Sequence, residues 1–143
     1  MFTVVRKHEI HCGHRVYEHE GKCQHLHGHS YIFEFHCRDG YNANALDKLG
    51  RVIDFSEIKS KLCEWLEDEW DHRMLMWVND PLALYVKELD DSVVLVPFNP
   101  TAENMADYLL NTISPQQFIG TDIICSKVVV HETGKCLAMC ELN

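Results

Sequence analysis

Seven of the ten histidines in this chain fall at or before residue 29: His8, His11, His14, His19, His25, His27 and His29. The densest stretch, "GKCQHLHGHSY", adds Cys23 and runs straight into the apolar "YIFEF". On an extended chain, residues i and i+2 point the same way, about 6–7 Å apart. His27 and His29 would therefore offer two imidazoles to one side, at a separation that can chelate a single ion. Gly28 between them carries no side chain, so other groups can come close to the backbone. A third ligand must come from elsewhere. His14 shares a face with Ile10 and Val16 on the preceding extended segment, and His11 and His25 compete with it on spacing alone. Three neutral imidazoles with a free fourth position describe a catalytic zinc site, whereas a closed structural site more often recruits thiolates. The competing reading is a set of solvated or core histidines.

Cys23 admits two roles. It can ligate zinc in a structural site with Cys12, His14 and His27. It can instead stand unligated beside the metal, where the cation and Lys22 would favour its thiolate. A thiolate next to a bound substrate can serve as a general base. Downstream, Asp71 and His72 in "WDHRM" form a carboxylate–imidazole pair of the kind that moves protons. Glu132 ends the apolar run "VVVHE", where a carboxylate leaving a buried strand can accept hydrogen bonds from a ligand; the alternative is a solvated turn residue.

Regular elements must position these groups. Residues 27 to 37 alternate as a strand, with His27, His29, Tyr31, Phe33, Phe35 and Cys37 on one face and Ile32 the single misfit on the other. Residues 2 to 16 make a weaker strand candidate, with Val4, Ile10, Cys12, His14 and Val16 sharing a face. "VIDFSEIKSKLCEWLEDEW" reads as a helix capped by Asp54 with Glu57, its stripe formed by Phe55, Ile58, Leu62, Trp65, Leu66 and Trp70. "VVLVPF" is a short strand leading to a second helix, capped by Thr101 and striped by Ala102, Met105, Leu109 and Ile113. "DIICSKVVVHE" and "CLAMCEL" read as a hairpin around "TGK". The expected fold is α+β: a four-stranded antiparallel sheet with two helices packed on one face.

Composition narrows the classes. A chain of 143 residues, 46% of them hydrophobic, suits one domain over residues 1–143 with a substantial core. No apolar run reaches the ~18–20 residues of a membrane span, and no secretory signal is visible, so a cytoplasmic protein is expected. The formal charge of -9 argues against nucleic acid as a partner. It also opposes an anionic small ligand unless a metal or a local basic cluster supplies positive charge. Seven cysteines, an odd number without a CxxC pair, argue against a disulfide framework.

Taken in order, Cys23, three spacers, His27-Gly28-His29, "VIDFSEIK", Asp71-His72, "PFNPTAEN" and "HETG" resemble the 6-pyruvoyl-tetrahydropterin synthase superfamily. The likeness spans nearly the whole chain. The short gap between the cysteine and HGH is similar to the branch forming 6-carboxytetrahydropterin for queuosine; the biopterin-making synthases typically have a longer one. The resemblance implies zinc on His14, His27 and His29, Cys23 as the base, and Asp71 with His72 as a proton relay. It implies that Glu132 holds the pterin ring and shares in that relay, with Thr101 and Glu103 at the pocket edge. It further implies the tunnelling fold, a homohexamer with sites at subunit interfaces, and a pterin triphosphate substrate. The expected reaction converts 7,8-dihydroneopterin triphosphate to 6-carboxytetrahydropterin, acetaldehyde and triphosphate. The alternatives are triphosphate elimination to a 6-pyruvoyl product and a non-catalytic zinc-binding module. One departure stands out: the family's usual F-x-A-A-H before the zinc histidine is Ile10-His11-Cys12-Gly13-His14 here.

Overall fold

A computed structural model describes residues 1–143. The strands β1 (Val4–His14) and β2 (His27–Asp39) pair antiparallel along their lengths, with Cys12 opposite His29, Gly13 opposite Gly28 and His14 opposite His27. Alternation decides which side chains go inward. Tyr31, Phe33, Phe35 and Cys37 of β2 are fully buried, as are Ile10, Cys12 and His14 of β1, while Ile32 faces out. Each large apolar side chain buried this way contributes roughly 1.5–3 kcal/mol.

Two long helices cover that face. Residues 55–69 form α1, in which Phe55–Ile58 and Glu64–Glu69 are joined through a wider turn at Lys59–Cys63, where the Glu64 N–H reaches back five residues to the Lys59 carbonyl. The Asp54 carboxylate caps it by accepting from the Ser56 N–H at 2.8 Å. Ile58, Leu62, Leu66 and Trp70 are buried beneath it, while Phe55, placed in the stripe by its spacing, is half exposed. Residues 102–117 form the other helix, with the Thr101 hydroxyl accepting from the Asn104 N–H at 3.2 Å. Ala102, Met105, Leu109 and Ile113 pack inward as their spacing predicts.

The hairpin at the C-terminal end is present as β5 (Ile123–His131) and β6 (Leu137–Glu141). The expected four strands form one contiguous antiparallel array, β1-β2-β5-β6. The sheet nevertheless has six strands, in the order β4-β3-β1-β2-β5-β6, and is mixed rather than purely antiparallel. Beyond the expected four, the sheet takes in β3 (Met74–Trp77), parallel to the end of β1, and β4 (Val94–Val96), the short strand read in "VVLVPF", parallel to β3. Between them lies a short helix, Ala83–Leu89, so this is a crossover and not a hairpin. We number it α2 and the helix at 102–117 α3. "MLMW" escapes sequence reading because four continuous apolar residues show neither period. No helix of the structure is long and apolar enough to cross a membrane.

Candidate functional site

The register of β1 and β2 brings His14 and His27 face to face and sets His29 one step along. His14 projects from the buried end of β1; His27 and His29 open β2. Their ligating atoms all lie within 4.8 Å of one another. The competitors go elsewhere. The His11 ring is on the opposite face, with Nδ1 2.9 Å from the Ser30 hydroxyl, and His25 contributes its carbonyl instead of its ring.

Hydrogen bonds settle which ring nitrogens face inward. His14 Nδ1–H donates to the Pro100 carbonyl and His27 Nδ1–H to the His25 carbonyl, both at 2.6 Å. A carbonyl only accepts, so each Nδ1 carries the proton and each Nε2 presents a lone pair. Those two Nε2 atoms stand 3.0 Å apart. His29 Nε2 is buried without a hydrogen-bond partner. One proton shared between nitrogens could reconcile only two of these atoms. A divalent cation satisfies all three, and second-sphere carbonyls holding the opposite ring nitrogen are the usual support for such ligands. The donor set therefore fits a metal ion of the kind that imidazoles bind.

Electrostatics keeps the rings ready to ligate. Burial lowers the His14 pKa to about 4, against an opposing contribution from its bond to Pro100; His27 and His29 push it further down. Burial also lowers His29, although Glu132 raises it. These depressed values keep His14 and His29 neutral to lower pH than an ordinary imidazole, so metal affinity should be level above pH ~6.5 and fall below it. Titrating metal into the protein at pH 8, 7, 6 and 5 checks this; an affinity already falling between pH 8 and 7 would contradict it.

Glu132 stands beside the cluster, its Oε1 3.5 Å from His29 Nε2, beyond a normal hydrogen bond. Together with Glu103, Ala102, Cys136, Leu137 and Ala138 it lines a small cleft of ≈ 150 Å3. Thr101 spends its hydroxyl on the α3 cap, next to that cleft. Cys23 sits in a tight turn, Lys22–Gln24, whose Cys23 carbonyl accepts from the Val16 N–H. Its thiol is not among the clustered ligand atoms. Burial first, then Cys12, Glu132 and Cys23, push the Tyr31 hydroxyl pKa upward. Cys12 is buried, which raises its thiol to about 12, and its sulfur is likewise outside the clustered ligand atoms.

Asp71 and His72 form the expected pair, His72 Nδ1–H donating to Asp71 Oδ2 at 2.7 Å. Asp71 Oδ1 also accepts from the His11 N–H, and the His72 N–H donates to the His11 carbonyl. Despite partial burial, the His11 N–H and the His72 ring hold Asp71 below the ordinary carboxylate range. His72 adopts a left-handed backbone, φ +57°, unusual for a residue with a side chain. The His72 ring packs 5.8 Å from the His11 ring, which alternation places on the face of β1 and β2 turned away from His14. His72 lines a cleft of ≈ 520 Å3 with His11, Gly13, Gly28 and Ser30, and Cys12 and His29 also border it. Sequence spacing carries no signal for this placement.

Of the cations considered for an anionic ligand, Arg15 is tied at 2.8 Å to the buried Asp80, and Lys127 lies in the row of β2 His36 and β6 Glu141. Lys22 remains in the Cys23 turn.

The six-stranded sheet, the two covering helices and the imidazoles at the β1–β2 end define a tunnelling-fold protein. A solved structure from Wolinella succinogenes, titled an uncharacterized protein, superposes with a TM-score of 0.85 at 22% identity, covering 99% of this chain and 98% of that one. Caenorhabditis elegans 6-pyruvoyl tetrahydropterin synthase gives 0.68 at 21% identity, with 99% and 96% covered. The family profile described as 6-pyruvoyl tetrahydropterin synthase matches residues 3–143, and the chain belongs to that family. Among its relatives, the Rickettsia felis 6-carboxy-5,6,7,8-tetrahydropterin synthase is 36% identical over 138 residues, 95% of this chain and 97% of that protein. The Haemophilus influenzae protein of the same name is 31% identical over 118 residues, covering 79% and 82%.

Proposed function

We propose that the chain is a zinc-dependent 6-carboxy-5,6,7,8-tetrahydropterin synthase, a carbon–carbon lyase converting 7,8-dihydroneopterin triphosphate to 6-carboxytetrahydropterin, acetaldehyde and triphosphate. The observation that carries this reading is the convergence of three imidazole lone pairs beside Glu132 in a chain whose named relatives make that product. His14, His27 and His29 would hold the zinc. The ion would supply Lewis acidity, lowering the pKa of substrate hydroxyls bound to it.

The chain's own groups do the rest. Glu132 and Glu103 line the small cleft beside the ligands, and paired acceptors suit the N–H and amino donors of a pterin edge; Thr101 marks the rim. Cys23, outside the ligand set, acts as the base that takes a side-chain proton. Asp71 holds His72 Nδ1–H, leaving His72 Nε2 to exchange protons with the intermediate. Because this pair lies on the far face of its own sheet, it serves the site of a neighbouring copy. That is the reason we favour a homo-oligomer, a hexamer in this fold, with sites at the interfaces. Seven free cysteines suit a reducing, cytoplasmic setting.

A second reading, triphosphate elimination to a 6-pyruvoyl product, draws support from the name of the family and of the C. elegans structure. Product analysis separates the two. Zinc-loaded protein given dihydroneopterin triphosphate should release acetaldehyde in step with 6-carboxytetrahydropterin. A pyruvoyl product without acetaldehyde would favour the second reading.

A further inference from the structure

We infer that Asn99 is a positioning residue for the metal centre, acting through the Pro100 carbonyl on His14. This deepens the metal-site reading above and rests on it. His14 takes its tautomer from the short bond of Nδ1–H to the Pro100 carbonyl at 2.6 Å, the Tyr31 hydroxyl lying farther, at 3.3 Å, from the same nitrogen. Residue 100 belongs to the connection between β4 and α3, far from β1 in sequence, so something must hold the two segments in register.

Asn99 does so from both sides. Its Oδ1 accepts from the Tyr17 N–H and its Nδ2–H donates to the Tyr17 carbonyl, each at 3.0 Å. This reciprocal pair admits only one orientation of the amide, and Tyr17 lies three residues past His14. The Asn99 carbonyl in turn accepts from the Asn104 side-chain amide at 2.9 Å and from the Thr101 N–H at 2.7 Å. One residue thus ties the chain leaving β1 to the capped start of α3, with Pro100 between the two anchors. Proline removes a backbone donor and fixes φ at that position, so its carbonyl direction follows from its neighbours. A shift of Pro100 would free His14 to turn, or to carry its proton on Nε2, where it could not ligate.

Second-sphere groups of this kind typically change metal affinity 10–100-fold when removed. The test measures zinc and cobalt(II) dissociation constants, and the visible d–d bands of the cobalt form, on folded, chelator-stripped wild type, Asn99→Ala and Asn99→Ser. Ser114→Ala is the control: it loses a buried bond to the Leu110 carbonyl within α3, away from the imidazoles. The expected result is metal binding weaker by about 10–100-fold in the Asn99 variants, with altered cobalt bands, and near-unchanged binding in the control. Should Asn99→Ala fail to fold, Asn99→Ser retains a short polar group there and carries the test. If wild type binds tightly and the Asn99 variants bind equally well with the same bands, Asn99 serves only the fold and the inference falls. If wild type takes up no metal, the metal-centre reading itself falls, and this inference with it.

Discussion

His29→Ala should yield a folded protein that no longer retains an equivalent of zinc through gel filtration. His29 lies at the start of β2, upstream of the buried run Tyr31 to Cys37, so its ring carries little of the core. What it does carry is an unpartnered Nε2 aimed at two other lone pairs. Zinc bound by four protein ligands is worth roughly 10–16 kcal/mol, so losing one ligand removes on the order of 3 kcal/mol, about a hundredfold in affinity. His27→Ala should behave alike. Elemental analysis of either variant decides the matter: a full equivalent retained by both would mean that the three rings are not the ligand set.

Cys23→Ala should keep its metal and its melting temperature, yet lose turnover by about 10²–10⁴-fold, the range for removing a general base. The thiol stands apart from the clustered nitrogens, so zinc content should not change. Loss of metal together with fold would instead make Cys23 a structural ligand. The face of the sheet occupied by His72 extends this result. His72→Ala should be inactive alone, as should Cys23→Ala. Mixed and reassembled, the two should recover about a quarter of wild-type activity, because one arrangement in four pairs an intact thiol with an intact neighbouring imidazole. A mixture that stays dead would place both groups in one chain's site.

Much of this was legible in residue order. Alternation from His27 to Cys37 is a two-residue period, and burial of the odd face follows because a strand has only two sides. The stripes of α1 and α3 were equally plain, apart from Phe55, which opens α1 and stays half exposed. Short elements were read unevenly. β4 lies within the run read as a short strand, whereas β3, four residues with no period, escaped, and both take their place in the sheet from pairing with β1 and with each other. A parallel pairing depends on a crossover whose path local sequence does not encode.

The site divides along the same line. Residue types and spacing alone determined that His27 and His29 share a side and that His14 competed with His11 for the third place, since these are matters of local backbone geometry. The tertiary structure chose His14, because only the even face of β1 turns into the helix-covered core, on the same side of the sheet as His27 and His29. It also assigned the tautomers, through carbonyls at residues 25 and 100, the latter 86 positions from His14. And it set the His72 ring against His11, on the face of β1 turned away from His14, a placement made by tertiary packing and invisible to any one-dimensional pattern.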